Sequence, residues 1–277
     1  DNGMELGFML GGVYGSEWAN KDSIDRSFGD PEDIFAAKKE STYSVNMTGN
    51  ANFGWRWYDD HRIETTSLFL RNTDDKASIT DSYTSSFPLS DGQGFRQYKT
   101  RFEERNLSVN QIRGFHRFGG ITRDLIGFDN FQWLDELTFD WFYSDATSRT
   151  DIPNETNILF KTVVDSATAE VSTQNLQASA SAADFRFTDL NDDVESYGYD
   201  FKLPLMMSFG DLTLTGGYRY SQKTRSYEQL QFGLGTDDSG VAQSSVGTVS
   251  EIFSDANIID VDNGFNVAVI GSNGESY

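Results

Sequence analysis

The sequence contains no cysteine, only two histidines and only four prolines among its 277 residues. Without cysteine the chain has no disulfide framework, no thiol chemistry and no zinc–thiolate site. It also lacks an uninterrupted apolar run of about 18 residues, which argues against a membrane-spanning helix. Aromatic residues nevertheless make up 14% of the chain, and this content argues against disorder.

Basic residues are scarce as well. The 22 Lys and Arg residues stand against 43 Asp and Glu residues, which gives a formal net charge of −21. Such a balance offers no basic patch that could displace counterions from phosphates, so nucleic acid is not an expected partner. The acidic residues gather in segments that we expect to be loops. There they are expected to form a solvated surface or, alternatively, a divalent-cation site. One such group comprises Asp189, Asp192, Asp193 and Glu195.

Catalytic and cofactor-binding motifs are missing too. The sequence shows no Ser-His-Asp arrangement, phosphate-binding loop or metal-binding histidine spacing. His61 and His116 stand beside predicted turns and are expected to be ordinary turn residues, with a catalytic or metal-ligand role as the alternative. Glu103 and Glu104 would point to opposite faces of a strand and cannot form a catalytic pair. The sequence therefore predicts no enzyme, no catalytic or metal site and no cofactor.

What the sequence does contain is regular alternation of apolar and polar residues. From Val45 to Tyr58, apolar side chains point to one face of a strand and Asn, Thr and Arg side chains to the other. This segment exceeds the usual strand of about five or six residues and matches the roughly 9–11 residues that cross a bilayer. Trp55 and Trp57 lie just before a short polar turn, where a membrane barrel places an aromatic girdle.

Seven strands are predicted from this alternation. The phase slips between Val109 and Ile112, which indicates a bulge, and Pro204 is expected near the end of its strand because it cannot donate to a ladder. The predicted strands are Met4–Ser16, Val45–Tyr58, Arg62–Asn72, Tyr98–Phe118, Leu137–Ser144, Tyr197–Leu203 and Leu212–Tyr220.

The predicted connections alternate in length. Those after Tyr58 and Met207 are short, and we assign them to the periplasm; the long ones are assigned to the cell exterior. The long predicted loops cover residues 18–42, 73–97, 149–193, with 166–183 as plain loop, and the segment beyond 229. The predicted fold class is thus all-β, a segment of a large antiparallel transmembrane β-barrel with short periplasmic turns and long extracellular loops. Seven strands cannot close a barrel, so residues 1–277 are expected to be part of a longer protein.

Three segments resemble TonB-dependent outer-membrane receptors. Leu212–Tyr227 is similar to a recurrent strand of that family, in which a Gly-x-Tyr-Arg-Tyr core precedes basic residues and an aromatic residue. Trp55–Glu64 and Phe102–Phe118 resemble common hairpin segments of the family. The resemblance implies a barrel of about 22 strands with a plugged lumen, of which this chain would be a middle section without the plug.

The resemblance also implies a function, location and partners. Receptors of this family import a scarce ligand across the bacterial outer membrane, with energy supplied by the TonB protein through the plug. The ligand would be a small molecule such as an iron chelate, a vitamin or a glycan. Outer-membrane lipid would surround the barrel. Two alternatives stay open: a passive, porin-type barrel, and a secreted soluble β-protein that binds glycans.

Strand alternation supplies candidate functional residues. Four charged residues are predicted to face the barrel lumen, in contact with a plug or a passing ligand or, alternatively, as a hydrated, salt-bridged wall. These are Arg56, Asp200, Lys202 and Arg219. Aromatic residues on the other face are interpreted as membrane-interface anchors rather than a ligand-stacking platform. They are Trp55, Trp57, Trp141, Tyr218 and Tyr220, and Phe139 is expected to face lipid.

Overall fold

The chain forms one antiparallel sheet of nine strands, seen in a computed structural model that describes residues 3–127, 130, 132–179, 182–207, 210–235, 246–259 and 265–276. The strands are β1 (Met4–Arg26), β2 (Phe35–Trp57), β3 (His61–Ser82), β4 (Gln93–Phe118), β5 (Leu137–Val164), β6 (Val171–Leu176), β7 (Ala183–Met207), β8 (Gly210–Gly235) and β9 (Asn266–Ser276). Their order is β1-β2-β3-β4-β5-β7-β8-β9, with β6 paired to the end of β5. The all-β, antiparallel prediction is confirmed, and the sheet is open, with β1 and β9 at its edges.

The predicted strand bounds are wrong at the ends away from the short turns. β1 continues to Arg26 and β2 begins at Phe35, so most of the predicted loop 18–42 is paired strand and the connection is 27–34. Likewise, the predicted loop 73–97 shrinks to 83–92. These segments carry polar residues on both faces, so no apolar alternation marks them. Their backbone ladders continue because neighbouring strands of equal length offer partners for every N–H and C=O group.

The predicted loop 149–193 is wrong in the same way. β5 continues to Val164, β7 already begins at Ala183, and the stretch 166–183 that was predicted as loop contains β6. The acidic group around Asp192, expected in a loop, therefore lies within β7. Beyond position 229, β8 continues to Gly235, and β9 is a strand that the alternation did not reveal.

A β-bulge is present, but not where the sequence predicts it. Val109 and Ile112 pair with β3 and β5 in unbroken register. The register shifts instead on β5 around Pro153, between the pairs with Phe102 and Glu104 of β4. Proline lacks the N–H that a ladder needs, so an unpaired bulge position suits it. The prediction for Pro204 is confirmed, because β7 ends at Met207.

The connections at one end of the sheet are short or helical. Residues 58–60 join β2 to β3, and Met207 pairs with Gly210 across a turn whose residues 208–209, predicted as a short turn, lie outside the described part. Residues 119–136 join β4 to β5 and contain helix α1 (Gly120–Ile126). Among the described residues, no helix is both long and apolar enough to cross a membrane.

The principal cluster of buried apolar side chains lies at the opposite end of the strands. Phe160 on β5 is fully buried there against Leu176 of β6 and Ile252. Ile252 belongs to helix α2 (Val249–Ile252), which begins with a capping box formed by Thr248 and Glu251 and precedes helix α3 (Asp255–Ile259). This small core packs α2 against the ends of β5 and β6. Its described residues do not cover the faces of the central sheet.

Candidate functional site

The cross-strand register sorts the side chains into two faces, because directly paired residues point to the same side. The aromatic face is defined by three rows of paired residues near the short connections. Its middle row is Leu6, Trp55, Ile63, Gly114, Trp141, Tyr199 and Tyr218. The flanking rows are Met4, Trp57, His61, His116, Phe139, Phe201 and Gly216, and Phe8, Phe53, Thr65, Ile112, Tyr143, Tyr197 and Tyr220.

The intervening rows form the charged face. The first is Glu5, Arg56, Arg62, Phe115, Asp140, Asp200 and Gly217, and the second is Gly7, Gly54, Glu64, Arg113, Phe142, Gly198 and Arg219. Aromatic and charged rows thus alternate along every strand from β1 to β8 on the main path. This alternation is the geometric basis of the candidate site.

The four residues predicted to face a lumen share the charged face. Arg56 and Asp200 stand in one row, Lys202 lies two positions along β7, and Arg219 pairs with Gly198. Arg219 Nη2 lies 2.9 Å from Asp200 Oδ2, and Arg56 Nη2 lies 2.6 Å from a carboxylate oxygen of Glu5. The structure brings all four to one surface of the sheet.

Three further charged residues lie on this face in the middle of the sheet. Arg113 Nε on β4 lies 2.7 Å from Glu64 Oε2 on β3, and Arg62 Nε lies 3.2 Å from Glu64 Oε1. Together with Asp140 and Arg219 they surround a shallow cavity of about 380 Å³. The sequence analysis did not single out Glu64 or Arg113. Their positions in strand phase with Arg56 and Asp200 were the signal that could have identified them.

A second charged cluster lies on the same face near the bulge. Arg101 contacts Glu103 at 2.7 Å and Glu155 at 3.1 Å, and Lys99 Nζ lies 2.6 Å from Glu155. Arg105 also contacts Glu103. Both glutamates are buried. The sequence did not predict the cluster because Glu155, which contacts both Lys99 and Arg101, was expected in a loop.

Two members of the acidic group on β7 are paired with basic residues of neighbouring strands. Asp192 contacts Arg225 at 2.6 Å and Lys223 at 3.4 Å, while Asp189 contacts Arg149 at 2.5 Å. Asp193 accepts hydrogen bonds from Thr147 and Asn191 instead. Within the described ranges, no group of three or more His, Asp or Glu side chains is arranged to hold a metal ion.

The aromatic face is laterally packed and open above. Tyr197 and Tyr220 have ring centroids 5.1 Å apart, and Phe139 and Tyr199 have centroids 6.1 Å apart. Tyr218 is 47% exposed, and the edge residue Phe8 is 82% exposed. The rings contact their strand neighbours, but no other layer of the described chain covers them at this end of the sheet. An apolar surface of this extent requires an apolar environment or a partner.

The two histidines are brought together by the register of β3 and β4. His61 pairs directly with His116, and their Nδ1 atoms lie 3.1 Å apart. Both stand at the strand ends beside the short connections, as expected from the sequence. Their mutual contact was not expected, since 55 positions separate them in the chain.

Comparisons of this chain with protein-family models, with curated proteins and with solved structures found no match. The sheet itself is therefore the basis for inferring a function. Its informative features are the length of the strands, the two contrasting faces and the salt bridges on the charged face.

Proposed function

We propose that the chain forms part of the wall of an outer-membrane β-barrel, and specifically of a TonB-dependent receptor that imports a scarce ligand. One observation carries the proposal: the long strands, from 22 residues in β3 to 28 in β5, present an aromatic face and a charged face in their parts beside the short connections. A barrel in a bilayer requires an apolar exterior and a polar interior on every strand.

Strand length supports a membrane wall that extends beyond the lipid. A tilted strand crosses the bilayer with about 9–11 residues, so strands twice that long project outward on one side. On β5 the aromatic run Phe139, Trp141 and Tyr143 ends at Asp145, and on β7 Tyr197 is followed by Glu195. We assign the bilayer to the aromatic rows beside the short connections and the outer aqueous space to the remainder of the strands.

The charged face suits a water-filled or plugged interior. Its Arg–Glu and Arg–Asp pairs stay hydrated there, whereas the same charges in lipid would cost about 2–4 kcal/mol each near the midplane. In a bilayer the unpaired edge of β1 would also leave backbone groups without partners, so we propose neighbouring strands of the same barrel on that side.

The energy-coupled receptor is favoured by the resemblance of Leu212–Tyr227, Trp55–Glu64 and Phe102–Phe118 to that family. A passive pore shares the same wall, and conductance separates the two. In planar bilayers bathed in KCl, the protein containing this chain should show no steady open-channel current if its lumen is plugged. Stable conductance steps would favour the passive pore.

The soluble alternative makes a different structural demand. A secreted β-sandwich would need a second sheet packed about 10 Å above the aromatic face. The described residues build a single sheet. This observation favours lipid as the environment of the aromatic face over a sandwich partner.

Single cysteines test the assignment of the faces directly, because the chain has none of its own. We would compare Phe139→Cys with Asp140→Cys, and Tyr199→Cys with Asp200→Cys, in outer-membrane preparations treated with a membrane-impermeant maleimide. The charged-face positions should react and the aromatic-face positions should not, because lipid excludes the reagent. Phe28→Cys, on the exposed connection 27–34, serves as the positive control. Equal labelling of both faces would overturn the proposal.

A further inference from the structure

The two histidines belong to a continuous chain of hydrogen bonds that joins three strands to helix α1. Trp141 Nε1 on β5 lies 3.1 Å from His116 Nε2 on β4. His116 Nδ1 lies 3.1 Å from His61 Nδ1 on β3, and His61 Nε2 lies 2.8 Å from Thr122 Oγ1 on α1. We name these four residues the histidine chain.

The strand geometry explains why the two rings meet. Arg117 N donates to Asp60 O at 2.6 Å, which makes that pair hydrogen-bonded in the β3–β4 ladder. Hydrogen-bonded and non-hydrogen-bonded pairs alternate, so the next pair, His61 and His116, is of the non-hydrogen-bonded kind. Side chains approach most closely in such pairs. Trp57 stacks on His61 with ring centroids 5.2 Å apart and restricts its position further.

Only one arrangement of protons satisfies every link of this chain. The indole N–H of Trp141 can only donate, so His116 Nε2 must accept and carry no proton. His116 is then protonated on Nδ1 and donates to His61 Nδ1. That nitrogen of His61 is the acceptor and carries no proton. His61 therefore carries its proton on Nε2 and donates to Thr122 Oγ1. Both imidazoles are neutral, and each ring nitrogen has one defined partner.

An additional proton cannot be accommodated without breaking a link. Protonation of His116 Nε2 would oppose it to the indole N–H, and protonation of His61 Nδ1 would oppose it to the N–H of His116. A metal ion between the Nδ1 atoms is disfavoured for the same reason. Ligation through Nδ1 of His116 would place its proton on Nε2, opposite the indole N–H of Trp141.

The charged groups around the chain are mostly paired with one another. Arg117 contacts Asp60 at 2.8 Å, and Arg123 of α1 contacts Asp135 at 2.5 Å. Among the described residues, the other charged groups of the neighbouring elements are Asp124 and Glu136 in the connection, Asp140 on the opposite face of β5, and Arg56, Asp59 and Arg62 beside the β2–β3 turn. None of these carboxylates is hydrogen-bonded to an imidazole in the part of the chain that the structure describes.

We propose that the histidine chain is an acid-sensitive latch that holds α1 against the end of the sheet. Thr122, the side chain by which α1 is attached, is only 8% exposed. Because the closed latch binds fewer protons than the open one, acid favours opening. The inference does not depend on the proposed function.

A spin label on α1 tests the latch in the full chain. Ile121, 45% exposed on α1, is changed to Cys in the cysteine-free chain and labelled with a nitroxide in detergent micelles. Below the imidazole titration range the ratio of open to closed latch rises by up to about tenfold per pH unit for one proton. We expect the mobile fraction of the spectrum to increase at least several-fold between pH 7.5 and pH 5.

Two variants separate the latch from other causes of mobility. His61→Gln with His116→Asn removes both imidazoles, and Thr122→Val removes the acceptor on α1; each should lose the pH dependence, the second with a mobile label at both pH values. A label attached through Phe28→Cys, far from the histidine chain, should not respond to pH. A label on Ile121 that is equally immobile at both pH values would overturn the proposal. So would a pH response that persists in the double variant, because carboxylates would then be its cause.

Discussion

The arginines on the charged face contact carboxylates that differ in their exposure to water. Arg101 lies between Glu103 and Glu155, whose side chains are 9% and 10% exposed. Arg219 contacts Asp200, whose side chain is 51% exposed. A buried carboxylate that loses its partner has little water to replace it, whereas an exposed one is solvated at once. The same type of ion pair therefore contributes differently to the free energy of unfolding at the two positions.

Arg101→Ala should lower the free energy of unfolding more than Arg219→Ala. We expect about 2 kcal/mol for Arg101, below the roughly 3–5 kcal/mol of a fully buried pair because Lys99 and Arg105 still contact the two glutamates. For Arg219 we expect about 0–1 kcal/mol. Urea unfolding of the chain in detergent micelles measures both values. Equal losses would contradict the assigned difference in shielding.

A charge on the aromatic face tests the bilayer assignment at a single position. Phe139→Lys should destabilise the inserted barrel by about 2–4 kcal/mol if position 139 lies near the midplane. Thr138→Lys, one position away on the charged face, is the matched control and should have little effect. The yield of folded protein in lipid vesicles and its urea midpoint provide the measurement. Unchanged assembly of the Phe139 variant would count against the assigned face.

At the scale of elements, the bulge on β5 decides which side chains its outer half presents to each face. The extra residue near Pro153 shifts the alternation, so Ile158 pairs with Tyr98 and Phe160 reaches the buried cluster with Leu176. A strand has a period of two, so one inserted or deleted residue exchanges its two faces. The bulge thus connects the aromatic half of β5 to the small core at its far end.

An alanine inserted between Asn157 and Ile158 should disrupt that core, whereas deletion of Pro153 should not. The insertion would turn Phe160 away from Leu176 and Ile252, and loss of a buried phenylalanine costs about 3–5 kcal/mol. The deletion removes the unpaired bulge residue and keeps Asn154 opposite Phe102, so the register beyond it is unchanged and stability should change by about 1 kcal/mol or less. Hydrogen exchange of β6 and α2 measures the effect. Equal protection in both variants would show that the register of β5 does not position the core.

At the scale of the whole molecule, the described residues form a single sheet. Its described apolar core is confined to one end, and the aromatic rows are open along the rest. A domain stable in water buries the apolar face of its sheet against a second layer. The whole sheet is therefore expected to depend on an apolar environment.

The chain should stay monodisperse in detergent and associate in plain buffer. The exposed aromatic rows form an apolar surface that favours self-association in water and is covered by detergent in micelles. Size-exclusion chromatography coupled to light scattering distinguishes the two states, with circular dichroism as a check that strand content is retained. A folded monomer in detergent-free buffer would contradict the membrane assignment and favour the soluble alternative.

The sequence by itself determined the strand character and the two faces. Alternation identified the halves of β1 to β5, β7 and β8 near the short connections, and it placed Arg56, Asp200, Lys202 and Arg219 in one phase. This was possible because the period-two pattern is local and one face of each half-strand is apolar. The outer halves of β1 to β3 carry polar residues on both faces, so they contained no such signal. On β7 and β8 the alternation continues through Phe185 and Phe187 and through Leu230, Phe232 and Leu234, but the predicted strands stopped short of it.

Only the tertiary structure decided which residues meet across strands. The register placed Arg101 between Glu103 and Glu155, put the bulge at Pro153 and joined His61 to His116. Register depends on the pairing of whole strands, whose contacts are distant in sequence, and no local pattern encodes it. The faces of the sheet follow from sequence periodicity, whereas the charged clusters and the histidine chain exist because specific strands are aligned.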